Sequence, residues 1–167
     1  MGAVREFLNQ FRSREHTPLV QFIKYGIAGV IATLVHTVIF FFCSWQFLPA
    51  LGSNDPLALL FHVDMPEVAD AIRARNATWN NLIAFFFSNL TAYLINIKWV
   101  FEGGRHHRLV EIGMFYAVSG LSLVTGTFLQ WILIHYHSWP TSFAFGINIL
   151  VSLLINYGLR KFVVFKG

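Results

Sequence analysis

Long uncharged apolar stretches alternate with short charged ones along this chain. No residue between Lys24 and Asp55 is charged at neutral pH, and Tyr25 to Leu48 is strongly apolar. A second uncharged run lies between Arg75 and Lys98. It carries Asn80, Asn81, Ser88, Asn89 and Asn96 but is built around Leu82-Ile83-Ala84-Phe85-Phe86-Phe87. The third run extends from Ile112 to Leu159 and must fold back once. Its polar, proline-containing break is His135-Tyr136-His137-Ser138-Trp139-Pro140, and Pro140 suits the first turn of the next helix, where a missing N–H costs little. About 20 apolar residues cross a hydrocarbon core of roughly 30 Å as a helix. The pattern therefore predicts an all-α membrane protein with four transmembrane helices, at about 19–47, 78–100, 109–135 and 141–164.

The basic residues orient these spans. Arg5, Arg12, Arg14, Lys24, Lys98, Arg105, Arg108, Arg160, Lys161 and Lys166 fall on one side, and only Arg73 and Arg75 on the other. Because Lys and Arg stay cytoplasmic, both termini and the 101–108 loop are expected inside, with the 48–77 and 135–140 loops outside. Trp45, Trp79, Trp131 and Trp139 mark the outer ends of the spans, and Trp99 and Tyr25 the inner ends, as in an aromatic belt. Composition agrees. Charged residues make up 12 % of the chain against about 25 % in soluble domains, and mean hydropathy is +0.57. The net charge of +4 is thereby read as topology, and no nucleic-acid partner is expected. One cysteine, Cys43, excludes an internal disulfide framework and any multi-cysteine metal centre.

Residues 1–18 form a separate cytoplasmic segment. Val4, Phe7, Leu8 and Phe11 make an apolar stripe, with Arg5, Arg12 and Arg14 off it; a short helix on the membrane surface and a disordered tail both fit. Neither a cleaved signal nor a myristoylation site is read here. In the outer loop, Asp64-Met65-Pro66-Glu67 reads as a capping box. The helix it starts would rest Val68, Ala71 and Ile72 on the bilayer. A metal role for His62, Asp64 and Asp70 is not required by their spacing. His106-His107 and the His135/His137 pair are likewise unsuited, so no metal and no cofactor are expected.

Two halves of the chain look alike. Shifted by 64 residues, Ser88 lies over Ser152, Tyr93 over Tyr157, Val100 over Val164 and Phe101 over Phe165. Lys24-Tyr25-Gly26-Ile27-Ala28-Gly29 is similar to Phe115-Tyr116-Ala117-Val118-Ser119-Gly120. The four spans thus read as two repeated two-helix units in parallel orientation. With Lys24-Tyr25, Gly29 and Thr33 opening the first span, and Asn156-Tyr157, Arg160-Lys161 and Val164-Phe165 closing the fourth, the chain resembles the GtrA-like family. That family also includes the membrane domain of some polyprenyl-phosphate mannose synthases. Asn96, Lys98 and Trp99-Val100-Phe101 repeat the closing pattern in the second span, with Ala92 where a first Asn is expected. The resemblance covers about 20–167 within a 19–167 transmembrane domain. It implies translocation of a polyprenyl-phosphate-linked monosaccharide across the bacterial cytoplasmic (inner) membrane, for use by a separate glycosyltransferase in cell-surface glycan modification.

The residues offer matching chemistry. A lipid-linked sugar needs a polar path for its head and cations for its phosphate. Asn148, Ser152, Asn156 and Arg160 recur every four residues, so they drift about 40° per step down one side of a helix. Ser88, Asn89 and Asn96 add to them, with His36 near mid-membrane. Intramembrane amides belong in a bundle interior or a wet cavity, whether they serve a substrate or only bond neighbouring helices. Lys24, Lys98, Arg160 and Lys161 are the candidate phosphate ring, and they also fit topology and contact with anionic headgroups. Gly26/Gly29, Gly113/Ala117 and Ser122/Gly126 suit close helix packing. No carboxylate lies in the membrane interior, Glu111 standing only at the cytoplasmic start of the third span, which disfavours a small cation antiporter. No nucleophile–base set or P-loop is present, so an enzyme is not expected. A non-transporting scaffold for a glycosyltransferase is the alternative to the flippase, and a homodimer would complete the thin wall that four helices make around a sugar.

Overall fold

The computed structural model describes residue 11 and residues 17–100 and 108–159. The stripe residues Val4, Phe7 and Leu8, the 101–107 loop, Arg160, Lys161 and the closing Val164-Phe165 lie outside the described residues, as does the side chain of Asn156. Among the described residues the fold is all helical: α1 (Pro18–Gln46), α2 (Pro56–Leu60), α3 (Asp70–Ile95) continued by a π-helical turn (Asn96–Val100), α4 (Arg108–His137) and α5 (Thr141–Leu159). 

The last of these, α5, runs over Thr141–Leu159. Helix α1 packs on α3, α3 on α4, and α4 on α5.

The helices bury polar groups and expose apolar ones. Phe22 is 73 % and Val38 67 % exposed, whereas Asn80 and Asn81 are fully buried. Water would reverse that pattern; a hydrocarbon solvent produces it. Among the described residues two helices, Leu19–Gln46 and Asp70–Val100, are long and apolar enough to cross a membrane, and in both fewer than half of the residues of the most apolar stretch are buried. The buried positions of α3 include Ala74, Ala77, Asn81, Ala84 and Ser88. Their three- and four-residue spacing keeps them on one face, and their small size lets neighbouring backbones approach.

An apolar plug fills the bundle toward the 48–69 side. It centres on Phe40, Ala84, Ile134 and Phe145. The Phe40 and Phe145 rings stack with centroids 4.1 Å apart, joining α1 to α5 directly.

Three boundaries differ from the sequence reading. Helix α3 starts at Asp70 rather than 78. Absence of charge marks only the stretch suited to lipid, whereas the helix continues beyond it because Arg73, Ala74, Asn76 and Ala77 are buried. The Asp64–Glu67 capping box is not formed: residues 63–69 are non-helical, and the N-cap of α3 is Ala69, without a side-chain bond. The capped helix lies instead at Pro56–Leu60, where Asp55 accepts from the Leu57 N–H. Finally, α4 continues to His137 and reverses at Ser138, whose φ is 54°.

The outer connection is tied to the helix ends. Asn80 Nδ2 donates to Ser44 Oγ (2.8 Å) and the Leu48 carbonyl (3.0 Å), and Asn76 Nδ2 to the Pro49 carbonyl (2.8 Å). These bonds satisfy carbonyls just past the end of α1, which lack helical partners. Buried Asp55 accepts from the backbone N–H of Leu57 (3.1 Å) and of Ser142 (2.9 Å), joining α2 to the first turn of α5. Arg73 bridges Asp70 (2.7 Å) and the Trp139 carbonyl (3.2 Å), while Ser138 Oγ donates to the other oxygen of Asp70.

Candidate functional site

Beyond the Phe40–Phe145 plug, on the side away from the 48–69 connection, lies a polar cavity of about 170 Å³. All four long helices line it. Helix α1 contributes Thr33 and His36, α3 contributes Ser88 and Asn89, α4 contributes Ser122, and α5 contributes Asn148 and Ser152. Five of the seven polar-path candidates, namely His36, Ser88, Asn89, Asn148 and Ser152, therefore border one space. Asn96 is buried in the π-helical turn and is not among the lining residues.

A hydrogen-bond network holds this lining. Gln130 Oε1 accepts from Asn81 Nδ2 (2.6 Å) and from Asn148 Nδ2 (2.7 Å). Both carbonyl oxygens of these asparagines consequently point away from Gln130. That of Asn148 accepts from Ser152 Oγ (3.3 Å), and that of Asn81 faces His36 Nε2 (3.4 Å). His36 must then donate from Nε2, which leaves Nδ1 facing Ser88 Oγ at 3.3 Å. One chain of bonds thus crosses α1, α3, α4 and α5.

Gly126 makes the α4–α5 approach possible. A Cβ there would lie 2.2 Å from Asn148 Oδ1 and 2.8 Å from Ser152 Oγ. The small residue seen in the sequence thus seats the polar stripe of α5 against α4. Three buried groups in or beside the cavity have no hydrogen-bond partner among the described residues: Asn89 Nδ2, Ser122 Oγ and Gln130 Nε2.

The sequence reading did not single out Gln130 or assign Asn81 to the path. Two signals pointed to them. Gln130 is the sole Asn or Gln between Glu111 and Asn148, and Asn81 stands seven residues before Ser88, on the same helix face.

The basic candidates are placed differently. Lys24 is fully buried, with Nζ 3.5 Å from the Trp99 carbonyl and 5.5 Å from the Trp99 ring centre. It lies where the end of a helix presents partial negative charge. Gln21 Nε2 donates to the neighbouring Val100 carbonyl (3.5 Å), and Trp99 Nε1 donates to the Phe11 carbonyl (2.7 Å). Lys98 is exposed. Among the described residues, no group of three or more His, Cys, Asp or Glu side chains could hold a metal ion.

No solved structure matches the chain. Residues 24–165 match the family described as GtrA/DPMS, transmembrane domain. That span includes α1 from Lys24 onward, α3, α4 and α5, the π-helical turn and all the cavity-lining residues. With most of its length covered, the chain belongs to the GtrA/DPMS transmembrane-domain family.

Proposed function

We propose that this protein spans the bacterial cytoplasmic membrane four times, with both termini inside, and flips a polyprenyl-phosphate-linked monosaccharide across it for cell-surface glycan modification. The observation that carries this reading is the half-open cavity with polar side chains in its wall, set between helices whose outer faces are apolar. Such a space accepts a hydrophilic head while the isoprenoid tail stays in lipid, and the head avoids the cost of entering hydrocarbon unpaired. The phosphate would meet the basic inner end, where Lys24, Lys98, Arg160 and Lys161 cluster in the sequence pattern. Cations near a lipid phosphate lower the cost of bringing it to the helix ends. A glycosyltransferase on the outer face would consume the product, and a second copy of the chain would widen the wall around the head.

Purified protein in liposomes with a labelled lipid-linked sugar provides the test. Outer-leaflet exposure should accelerate over empty vesicles and slow in the Arg160→Ala variant. Absence of acceleration would overturn transport. Partner capture and glycan modification that survive both Arg160→Ala and Asn156→Ala would favour a scaffold.

A further inference from the structure

We infer that the 48–69 connection carries a lipid anchor: Leu59, Leu60 and Phe61, at the end of α2, sit among the lipid chains of the leaflet on that side. Their side chains are 59 %, 65 % and 69 % exposed, and no residue from Pro56 to Val63 is charged at neutral pH. Three consecutive large apolar side chains held out in water are unfavourable; in lipid they are at home. The inference needs the bundle to sit in a membrane and does not depend on what it transports.

The packing of α2 on α1 brings this turn to lipid depth. Buried Leu51, Ala58 and Met65 form a small cluster against which Phe41 of α1 and Val63 pack. Phe41 precedes the end of α1 at Gln46 by five residues, about 7.5 Å along the axis at 1.5 Å per residue. The connection therefore folds back beside a membrane-spanning helix instead of projecting away from it. Around that point α1 presents apolar side chains outward: Phe42 and Trp45 are each 50 % exposed and Phe47 67 %. The rings of Phe42 and Phe47 meet with centroids 5.6 Å apart. Lipid that covers this part of α1 extends onto the exposed residues of α2.

The backbone of this segment is prepared for lipid, which accepts only paired polar groups. The Leu59 N–H donates to the Asp55 carbonyl (3.0 Å), Phe61 to Leu57 (3.0 Å), His62 to Leu59 (3.3 Å) and Val63 to Ala58 (2.9 Å). His62 closes this wrap with a φ of 52°, the left-handed conformation that ends many helices. The charged end of the segment is turned into the protein: Asp55 is buried and accepts from the N–H groups of Leu57 and Ser142. One end of the segment is thus polar and tied to the bundle, and the other is apolar and uncovered. Segments divided in this way lie in the plane of the interface with their apolar side in the acyl boundary.

Site-directed fluorescence in nanodiscs tests this. Cys43, the free thiol, is replaced by Ala, and an environment-sensitive fluorophore is attached to Leu60→Cys or Phe61→Cys in the full-length chain. Val38→Cys, on the exposed face of α1, is the lipid reference, and Asn54→Cys, exposed at the start of the same connection, is the water reference. With spin-labelled phosphatidylcholine in the disc, positions 60 and 61 should be quenched like position 38 and several-fold more than position 54. Quenching no greater than at position 54 would overturn the anchor. Protection from both the spin-labelled lipid and aqueous iodide would mean that a second copy or another protein covers the patch, and would overturn lipid as its occupant. Absence of lipid quenching at position 38 would overturn the membrane placement of the bundle, and the anchor with it. The unsubstituted protein gives an independent reading. A phosphatidylcholine with a photoreactive acyl chain should attach to residues 59–61 several-fold more than to residues 52–54, and equal attachment would overturn the inference.

Discussion

Gln130 is the point at which the polar network converges, and its removal gives a measurable consequence. One oxygen accepts from both Asn81 and Asn148, at 2.6 and 2.7 Å. In Gln130→Leu the side-chain volume is nearly kept, but two buried amide donors lose their acceptor. Interhelical hydrogen bonds in membranes contribute about 0.6 kcal/mol on average, with a maximum near 1.7 kcal/mol. Losing two of them should lower stability by about 1–3 kcal/mol. Orphaned buried amides place the effect toward the upper end of that range. Reversible unfolding in mixed micelles, followed by helical circular dichroism, reads the loss directly. Adding Asn148→Leu to Gln130→Leu removes one orphaned donor, so the double variant should recover part of the stability lost in the single one. Gln130→Leu unfolding within about 0.5 kcal/mol of wild type, a change usual for an uninvolved site, would refute the network as an organising element.

Other perturbations follow from the same geometry. Gly126→Ala places a Cβ 2.2 Å from Asn148 Oδ1 and should cost about 1–3 kcal/mol by overpacking; a thermal-shift measurement in detergent that finds no loss contradicts the seating of α5 on α4. Phe145→Ala removes the ring stacked on Phe40. In a Cys43→Ala background it should speed labelling of a Ser152→Cys probe by an impermeant thiol reagent added from the 48–69 side; unchanged labelling shows that the barrier lies elsewhere. Arg73→Ala removes the donor to Asp70 and to the Trp139 carbonyl, so proteolysis of the 48–69 connection should rise several-fold; equal resistance would show that the pair does not hold it. Asp55→Ala deprives both Leu57 and Ser142 of their acceptor and should cost about 1 kcal/mol or more in unfolding experiments, whereas an unchanged midpoint would show that water replaces the carboxylate.

Much of the fold is legible in the sequence because lipid imposes one simple condition on it. Uncharged runs locate the long helices, and the break before Pro140 locates the turn between α4 and α5. Helix ends are less legible. The start of α3 lies before the uncharged run because Arg73, Ala74, Asn76 and Ala77 are buried, Asn76 against the Pro49 carbonyl of the outer connection, a tertiary contact with no local signature. The capping signal was correct in kind and misplaced in position. Asp55 serves as the cap instead of Asp64 because Asp55 also meets the Ser142 N–H, 87 residues away in the chain. The polar stripe was visible at Asn148 and Ser152 from helical spacing alone. Gln130 stood as one isolated amide, and nothing local told which helix it would join.

The sequence by itself determines that long apolar helices carry amides and hydroxyls within them, since each residue type appears in the linear order. It also determines which side chains share a face, because 3.6 residues per turn leaves little choice. The tertiary structure decides which of those faces meet. It separates Asn76 and Asn80, which bond carbonyls at the end of α1, from Asn81, Asn89 and Asn148, which build the cavity and its network. It also turns Lys24 onto the Trp99 carbonyl. The physical reason is that a buried polar group must find a partner, and the identity of that partner depends on helices brought together from distant parts of the chain.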